Sequence, residues 1–345
     1  MARIEKITCI YHGGCIDGFT AAWCVYRALG RAHTVRFIAG EYQQPPPMVE
    51  PDELVLLVDF SYKRPVLLEL AKCCLGVVIM DHHATALEDL RQDLDLIYDW
   101  SAFDFRSAAD QIEEDVLGGR PGRIYTIFDD ARSGAGIAWD ALHLDDMGRS
   151  FMVGRVEDRD LWRFLLLGSH EVHAVLASHS QTFERWDALN MQFEEHELRT
   201  GLLREGAAIL RAHRVRLEEL LPQVTRPMDF LTPDGTLTVP VANLPYIYAS
   251  EAGDALCDGR DLHGRSHGHP KCVGVLHHPF CATYYDAPGH RIFSLRSRDG
   301  GADVGQIAAK YGGGGHKHSA GFRVPRGDDP EEFEHIAYST WSLMQ

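Results

Sequence analysis

The fold class follows from one short stretch of the chain, Gly76-Val77-Val78-Ile79-Met80-Asp81-His82-His83. Its first five residues form a brief apolar run rich in β-branched side chains, which predicts a buried strand. The run ends directly in one carboxylate and two imidazoles. In open parallel α/β sheets, ligands bind outside the carboxyl ends of the strands. The stretch therefore predicts a strand that delivers three polar side chains to a binding site.

The sequence upstream repeats this arrangement. We predict strands at residues 4–11, 34–38 and 54–58, and helices at residues 18–29 and 64–74. Short strands that alternate with helices indicate a parallel α/β sheet. His12 with Asp17 follows the first strand, and Asp59 follows the third. We expect these three residues to meet the polar residues after Met80 at one edge of one sheet.

The second half of the chain has a different pattern. Residues 182–221 contain few helix breakers and predict long helical structure, which Pro222 is expected to end. Farther on we predict a helix at 304–311 and strands at 237–241, 272–276, 291–295 and 321–324. We therefore expect a domain over residues 1–180, a helical linker over 181–222 and a smaller α/β domain over 223–345. A substrate is expected in the cleft between the two domains.

Composition limits the class of protein. The chain has 345 residues, of which 45% are hydrophobic and 24% charged, the mix of a soluble globular protein. No apolar run approaches the roughly 20 residues of a membrane helix, and the first residues do not resemble a signal peptide. The eight cysteines form no CxxC pair. We therefore expect a reduced, cytoplasmic chain with no membrane partner.

The net charge of −16 bears on the partners of the protein. Proteins that bind long nucleic acids usually carry a basic face, because phosphate neutralisation dominates their affinity. An acidic surface would repel such a polymer, so no long nucleic acid is expected. A small anionic substrate remains compatible with this charge if cations line a pocket locally. The alternative is that the excess of acidic residues merely keeps the surface soluble.

Several residues at predicted strand ends and in residues 156–162 have side chains that bind metals: His12, Asp17, Asp59, Asp81, His82, His83, Asp158 and Asp160. Mixed nitrogen and oxygen ligands suit Mn²⁺, Fe²⁺, Co²⁺ or Zn²⁺ better than Ca²⁺. One carboxylate shared by two ions about 3.5–4 Å apart would make a hydrolytic centre that stabilises phosphoryl oxygens and activates water. A single strand-end aspartate is more often a cap or a turn former. The joint placement of these residues is what indicates a metal site.

Five segments of the chain resemble, in the same order, the motifs of the DHH phosphoesterases: Tyr11-His12-Gly13-Gly14-Cys15-Ile16-Asp17-Gly18, Leu57-Val58-Asp59-Phe60-Ser61, Val78-Ile79-Met80-Asp81-His82-His83, Val156-Glu157-Asp158-Arg159-Asp160-Leu161-Trp162, and Gly312-Gly313-Gly314-Gly315-His316 with Ser319-Ala320-Gly321-Phe322. That superfamily includes RecJ-type exonucleases, short-oligonucleotide hydrolases, cyclic-dinucleotide phosphodiesterases and family II pyrophosphatases. The resemblance implies a Rossmann-like N-terminal DHH domain, followed by the smaller DHH-associated domain that carries the glycine-rich motif.

The resemblance also implies two metal positions. One ion would be held by His12 and Asp59, and the second by Asp17, Asp59, His82 and Asp158, so that Asp59 is shared. The expected metal is manganese, present either as two ions or as one ion with a weakened first site. Fe²⁺, Co²⁺ or Zn²⁺ would also suit these ligands.

Three further roles follow from the same resemblance. Asp81 would orient His82 without touching the metal, as metal-bound histidines usually require. His83 would lie near the scissile phosphate as a cationic or hydrogen-bonding group. Asp160 competes with Asp158 for the last ligand position. Asp158 is preferred because the aromatic residue that the family tends to keep then falls at the matching place.

One position departs from the family pattern. The first motif normally supplies a histidine and two aspartates, and here only Asp17 remains, with Cys15 standing about where the other carboxylate should be. A thiolate binds Zn²⁺ or Fe²⁺ well and Mn²⁺ less readily. Cys15 is therefore either a ligand that alters the metal preference or a small packed thiol beside a weak first site.

Candidate substrate-binding residues come from a helix start, a strand end and the glycine run: Ser133, Arg296, Arg298, Gly313, Gly314, Gly315 and His316. Successive glycine amides can form an anion nest, and arginine suits bidentate phosphate binding. The helix that Ser133 opens could hold an anion at its N-terminus, with Arg132 beside it as a weaker candidate. The alternatives are a flexible turn for the glycines, a solvated charge for one arginine and a helix cap for Ser133.

Together these features predict a metal-dependent phosphoesterase that acts on a small nucleotide. A short oligonucleotide, a linear or cyclic dinucleotide, or an adenosine bisphosphate fits the implied two-domain layout. The alternatives are an exopolyphosphatase-like hydrolase, and a non-catalytic nucleotide sensor with a degenerate first metal site. A homodimer is a family-level expectation only.

Overall fold

The computed structural model describes residues 4–41, 44–90, 97–99, 105–143, 148–258 and 278–326. The chain divides into two compact units, Met1–Leu210 and Arg211–Gln345. The described residues form eleven α-helices and twelve strands, whose bounds are given below. Among the residues described, no helix has both the length and the apolar character that crossing a membrane would require.

The first unit is built on a parallel sheet of six strands in the order β2-β1-β3-β4-β6-β5. The strands are β1 (Lys6–His12), β2 (Thr34–Gly40), β3 (Glu53–Val58), β4 (Gly76–Asp81), β5 (Ile97–Asp99) and β6 (Arg123–Phe128). Strand β4 is buried along its whole length, and β3 is buried except at its first residue. Strands covered on both faces need continuous apolar runs, which explains their sequences. The parallel α/β class predicted for this part of the chain is confirmed.

Helices surround this sheet and complete its two cores. They are α1 (Ile16–Leu29), α2 (Arg64–Ala71), α3 (Ala84–Leu90), α4 (Phe105–Leu117), α5 (Gly134–Leu142), α6 (Phe151–Asp160), α7 (Ser169–Ala177), α8 (Phe183–Glu194) and α9 (His196–Val224). One core contains Trp23, Trp139 and Trp186, and the other contains Phe60 and Leu67. The sheet is thus buried between two helical layers, as an all-parallel sheet requires.

The strand register brings three polar residues to one edge of the sheet. Tyr11 pairs with Val58, and Val58 pairs with Met80. The three residues that follow this row, one on each strand, are His12, Asp59 and Asp81. The carboxyl edge of the three adjacent strands β1, β3 and β4 therefore carries the beginning of the candidate site.

The helical segment after residue 182 differs from the prediction in two respects. It is divided into α8 and α9, because Glu195 between them has an extended backbone with φ −87° and ψ 126°. Pro222 does not end the second helix, which continues to Val224. A proline this close to the helix end removes one N–H donor, so few helical hydrogen bonds are lost. The division between the two units falls inside α9.

The second unit contains a mixed sheet of six strands in the order β11-β12-β10-β9-β8-β7, in which β8 and β9 are parallel and the other neighbours antiparallel. The strands are β7 (Thr225–Thr232), β8 (Gly235–Asn243), β9 (Cys281–Ala287), β10 (His290–Arg296), β11 (Gly314–His316) and β12 (Ser319–Pro325), and the helices are α10 (Ala249–Asp258) and α11 (Val304–Lys310). Phe230, Phe280, Phe293 and Phe322 form the centre of its core. The strand predicted at 272–276 lies outside the described residues.

Candidate metal centre

Asp59 lies at the centre of the site. It follows β3 directly, and only 1% of its surface is exposed. Its Oδ1 is 3.1 Å from Nε2 of His82 and 4.0 Å from Nδ1 of His83. Its Oδ2 is 3.4 Å from Nδ1 of His12. The carboxylate therefore faces three imidazoles that come from two neighbouring strand ends.

The backbone of Asp59 takes a left-handed conformation, with φ 53°. Such a conformation costs a residue other than glycine about 1–3 kcal/mol and persists only where the surroundings enforce it. The first residue of α5 is part of those surroundings, because a Cβ placed on Gly134 would lie 2.7 Å from Cα of Asp59. Similarly, a Cβ on Gly18 would lie 2.7 Å from Cβ of His12. Two glycines thus allow two helices to approach the strand ends closely.

Among the described residues of the first unit, potential ligand atoms form three overlapping groups, and the atoms of each group lie within 4.8 Å of one another. The groups are His12 with Cys15 and Asp59, Asp17 with Asp59 and His82, and Asp59 with Asp81 and His83. Asp59 belongs to all three. Among the described residues, none donates a hydrogen bond to the buried Oδ2 of Asp81. A donor set of imidazoles, carboxylates and one thiol around a shared carboxylate fits two divalent transition-metal ions.

Cys15 stands directly before α1, at the N-cap position, and its side chain makes no capping hydrogen bond. The structure instead brings its sulfur within 4.8 Å of ligand atoms of His12 and Asp59, close enough for the three residues to share one ion. Burial raises the pKa of the Cys15 thiol, and the hydrogen bond with His12 opposes this rise. Of the two alternatives for this residue, the geometry fits the ligand better than the merely packed thiol.

The structure changes the role expected for Asp81. Its Oδ1 is 2.6 Å from Nδ1 of His83 and accepts a hydrogen bond of 2.8 Å from the backbone N–H of His82. Asp81 therefore orients the imidazole of His83 and not that of His82. The ring of His82 is directed at Asp59. Asp81 and His82 are consecutive residues at a strand end, and consecutive side chains of a strand point to opposite faces. The carboxylate of Asp81 therefore contacts the ring of His83 but only the backbone of His82.

The preference for Asp158 over Asp160 is a second correction. Both carboxylate oxygens of Asp158 accept hydrogen bonds from the loop after α6, at 2.9 Å from the N–H of Leu165 and 3.0 Å from that of Leu166. The hydroxyl of Ser169 donates to the same carboxylate. In contrast, Oδ2 of Asp160 is 3.5 Å from Nε2 of His82. Asp160 is the better candidate ligand, and Asp158 stabilises the loop.

Ser133 does not face a substrate. Its side chain is fully buried, and its hydroxyl donates a 2.6 Å hydrogen bond to Oδ1 of Asp17. Oγ of Ser133 in turn accepts a hydrogen bond from the N–H of Gly136, which makes Ser133 the N-cap of α5. The N–H of Ala135 also donates to Asp17, at 3.2 Å. The start of this helix is thus already bound to a carboxylate and does not offer an open anion site.

Burial and charge together set the protonation of the centre. Burial and the neighbouring carboxylates of Asp59 and Asp160 raise the pKa of Asp17 well above its ordinary value. Burial lowers the pKa of His82, but the hydrogen bond to Asp59 and the negative charges of the neighbouring aspartates together outweigh burial and raise the pKa to about 10. Burial also opposes ionisation of Asp59, yet its hydrogen bonds with His12 and His82 lower its pKa below the ordinary value. Without a metal, Asp59 is therefore an anion at neutral pH and His82 holds a proton, while burial and neighbouring negative charge oppose the ionisation of Asp17.

Glu157, which was not among the residues predicted for the site, contacts the N-terminus of α5. Its Oε2 accepts a 3.1 Å hydrogen bond from the N–H of Ser133, and its Oε1 pairs with Arg149. Arg149 also binds Asp140, which is 3.0 Å from Arg132. The weaker anion candidate Arg132 is therefore engaged by carboxylates. A glutamate one residue before the fourth-motif aspartate is the only signal that could have pointed to Glu157.

The glycine run of the second unit forms a short strand. The N–H groups of Gly312 and Gly313 donate to the carbonyls of Ala309 and Ala308 at the end of α11, at 3.0 and 2.9 Å. These two amides are therefore not available to an anion nest. Gly314, Gly315 and His316 form β11, which pairs with β12. A Cβ on Gly313 would lie 2.6 Å from Cβ of Phe322, and one on Gly315 would lie 2.6 Å from Cα of Ala320, so close packing explains these glycines.

The two candidate arginines lie at the end of β10. Arg296 donates to the carbonyl of Leu295 at 2.8 Å and to Oγ of Ser250 at 3.1 Å. Arg298 is more exposed and pairs with Asp254 on α10. Arg296 is thus anchored to its own unit, while the guanidinium of Arg298 remains partly accessible to a ligand.

We compared the chain with known proteins by sequence. No family model matches it. It is 23% identical over 325 residues to Uncharacterized protein R106 of Acanthamoeba polyphaga mimivirus, an alignment that covers 90% of this chain and 66% of the viral protein. The chain thus spans just under two thirds of the length of this curated relative.

Several solved structures resemble the chain at low sequence identity. A pGpG-specific phosphodiesterase, PggH from Vibrio cholerae, is 12% identical with a TM-score of 0.42, covering 99% of this chain and 98% of that one. RecJ from Thermus thermophilus in complex with Mn²⁺ is 14% identical with a TM-score of 0.43, covering 99% of this chain and 52% of that one. An exopolyphosphatase-related protein from Bacteroides fragilis is 14% identical with a TM-score of 0.34, covering 99% and 93%. We base the proposed function on the residues of this chain, because these likenesses are distant.

Proposed function

We propose that the chain is a metal-dependent phosphoesterase of the DHH type that hydrolyses a small nucleotide. The observation that carries the proposal is the position of Asp59, which belongs to three ligand groups at the carboxyl edge of the central strands. A shared carboxylate between imidazole and carboxylate ligands is the arrangement that two-metal phosphoryl hydrolysis uses. The ordered motifs that resemble the DHH family support the same assignment.

The residues divide into two ligand sets around Asp59. His12 and Cys15 would complete one set, and Asp17, His82 and Asp160 the other. When bound, two divalent ions supply Lewis acidity and lower the pKa of coordinated water. The protein itself provides a buried, fixed carboxylate between the two sets, and its left-handed backbone holds that carboxylate in place.

His83 is assigned to the substrate phosphate. Asp81 holds its Nδ1 at 2.6 Å, which fixes the orientation of the ring. An imidazole oriented by a carboxylate can donate a hydrogen bond to a phosphoryl oxygen or a proton to a leaving group. Arg298 is the arginine we assign to substrate phosphate in the second unit, because the guanidinium is partly exposed. Arginine recognises phosphate by paired hydrogen bonds.

The substrate class follows from charge. A chain with a net charge of −16 repels a long polyanion, whereas a mononucleotide or dinucleotide presents few phosphates. We therefore propose a linear or cyclic dinucleotide, a short oligonucleotide or an adenosine bisphosphate. Manganese as the resident metal and a homodimer belong to the same proposal.

The test is a phosphate- and nucleotide-release assay on the purified protein. Mn²⁺, Co²⁺, Zn²⁺, Mg²⁺ and anaerobic Fe²⁺ would be tried with dinucleotides, adenosine bisphosphate, pyrophosphate and polyphosphate. Asp59→Asn, which keeps the size of the side chain, is the control variant. Metal-dependent turnover that Asp59→Asn abolishes supports the proposal, and the substrate hydrolysed names the class. A folded, metal-bound protein that releases nothing from any substrate contradicts it and favours the nucleotide sensor.

The position of Cys15 favours the enzyme over the sensor. A degenerate first metal site was the best argument for lost turnover. Yet the Cys15 sulfur lies within 4.8 Å of ligand atoms of His12 and Asp59, so the first set retains three potential ligands. Hydrolysis of polyphosphate but of no nucleotide would favour the exopolyphosphatase-like alternative.

A further inference from the structure

A chain of buried hydrogen bonds connects α6 to the metal ligand Asp17. Oε2 of Glu157 accepts from the backbone N–H of Ser133 at 3.1 Å, and the hydroxyl of Ser133 donates to Oδ1 of Asp17 at 2.6 Å. The three residues are 8%, 0% and 2% exposed, respectively. Buried hydrogen bonds to a charged group are stronger than those in water, so each link restricts the next.

The geometry of Ser133 allows one direction for its proton. The hydroxyl oxygen accepts the N–H of Gly136 at 3.2 Å, so the hydroxyl hydrogen is left to point at Asp17. Asp17 is therefore an acceptor at Oδ1. One carboxylate oxygen of Asp17 lies within 4.8 Å of ligand atoms of Asp59 and His82, with which it forms one ligand group.

The carboxylate of Glu157 is itself held in place, so it can anchor this series of hydrogen bonds. Its second oxygen pairs with Arg149, whose Nε also donates to Asp140 at 2.7 Å. A Cβ on Gly136 would lie 2.9 Å from Cδ of Glu157, so only glycine leaves room for the carboxylate there. A buried glutamate with a paired charge and a backbone partner carries little freedom of its own.

The neighbouring charges explain why the ionised carboxylate of Asp17 needs hydrogen-bond donors. It shares the centre with the carboxylates of Asp59 and Asp160, which disfavour a third negative charge nearby. Donors that point at the ionised form oppose this repulsion, and Asp17 receives two, from the hydroxyl of Ser133 and the N–H of Ala135. Removing one donor would make Asp17 a poorer metal ligand without removing any metal ligand.

We propose that Ser133 and Glu157 are positioning residues that set the metal affinity of the ligand group Asp17, Asp59 and His82. The inference rests on the proposed function only in its assumption that this group binds a metal. It assigns to Ser133 a role towards the metal centre in place of one towards the substrate.

The experiment measures Mn²⁺ binding by equilibrium dialysis for the whole chain and its variants. Ser133→Ala is expected to weaken one of the two Mn²⁺ sites by about 10-fold or more, the usual effect of losing a residue that orients a ligand. Ser133→Thr, which keeps the hydroxyl, should restore most of the affinity. Glu157→Gln keeps an acceptor for the N–H of Ser133 and should weaken the same site by a smaller factor.

A second serine provides the matched control. Ser150 caps α6 through the N–H of Val153, at 3.1 Å, and within the described part of the chain its hydroxyl is not hydrogen-bonded to a candidate ligand. Ser133→Ala and Ser150→Ala each remove one helix cap and should lower the unfolding midpoint similarly. Only Ser133→Ala should change Mn²⁺ binding. A folded Ser133→Ala variant that binds Mn²⁺ with wild-type affinity overturns the inference, and so does a wild-type chain that binds no divalent metal. Loss of one site in Ser133→Ala upholds it even if no substrate is hydrolysed, an outcome that contradicts only the proposed function.

Discussion

At Asp59 the chain combines a left-handed backbone with a carboxylate shared by the three ligand groups of the first unit. That conformation depends on the neighbour that leaves space for it. Gly134 lies so close to Asp59 that even one methyl group would contact the backbone as well as the side chain. The site is therefore sensitive to a residue that carries no functional group.

We expect Gly134→Ala to lower the free energy of unfolding by about 1–3 kcal/mol and to weaken metal binding, because the added Cβ forces Asp59 to move. Urea denaturation and Mn²⁺ dialysis measure the two effects. Gly201→Ala is the control, since a Cβ there meets nothing within 4 Å and the residue lies within α9. That substitution should stabilise the protein by about 0.5–1 kcal/mol. Equal effects of the two substitutions would contradict the packing argument.

Two aspartates of α6 should respond differently to the same substitution. Asp160→Asn is expected to reduce Mn²⁺ affinity at least about 10-fold with little change in stability, because it removes a candidate ligand beside His82. Asp158→Asn is expected to lower stability by about 1.5–3 kcal/mol, because it weakens hydrogen bonds from the loop to a charged acceptor. Dialysis and thermal unfolding of both variants would be compared. Loss of metal in Asp158→Asn alone would restore the original ligand assignment.

Metal binding should release protons. The pKa of His82 is raised to about 10, so its ring holds a proton at pH 7 before a metal binds, and burial and neighbouring carboxylates also raise the pKa of Asp17. Ligands bind metal only when deprotonated, so affinity should rise from pH 6 to pH 8. Titration calorimetry in two buffers with different ionisation enthalpies measures the protons released. A binding heat that is the same in both buffers would refute this protonation scheme.

At the scale of elements, the positions of the strand ends could be predicted from the sequence, whereas the conformations of the loops could not. Continuous apolar runs predict β3 and β4, and their shared carboxyl edge places Asp59 and Asp81 together. The choice between Asp158 and Asp160 depends on the loop after α6. In that loop Trp162 has φ 55° and Phe164 has φ 52°, which non-glycine residues rarely adopt. The loop therefore turns back onto Asp158, and no periodic pattern in the sequence predicts this.

Ser133 and the glycine run show a second limit of sequence analysis. A serine before a helix is the residue of choice for a cap and is equally suited to bind an anion, so the residue type alone does not decide. A glycine run serves close packing as well as phosphate binding. Here Gly313 and Gly315 pack against β12. The distinction depends on the partner, which only the tertiary structure supplies.

The end of β10 allows a prediction for the arginines. Arg298→Ala is expected to raise the KM for the nucleotide about 10-fold with a smaller change in kcat, because a phosphate contact is lost. Arg296→Lys would be the comparison, since Arg296 is anchored to Leu295 and Ser250. Steady-state kinetics on the substrate from the release assay measures both. An unchanged KM in Arg298→Ala would contradict the assignment of this arginine to the substrate phosphate.

For the whole molecule, net charge should determine the length of substrate. With a charge of −16, kcat/KM is expected to fall steadily from dinucleotides to oligonucleotides of about 20 residues. Added salt should reduce this difference, because it screens the repulsion. Initial rates on a length series at two ionic strengths test this expectation. A preference for the longest substrate at low salt would rule out charge as the selecting factor.

The parallel arrangement of strands in the first sheet also affects the order of events during folding. Strand β3 pairs in parallel with both β1 and β4. Parallel neighbours are joined by a long crossover connection, which must fold back before the two strands can pair. Such non-local pairing is slow compared with the formation of helices. The ligands of the centre come from the ends of these strands and from helices packed on them. During refolding, helical signal should therefore return first, and the capacity to capture a metal ion should be among the last properties that the chain regains.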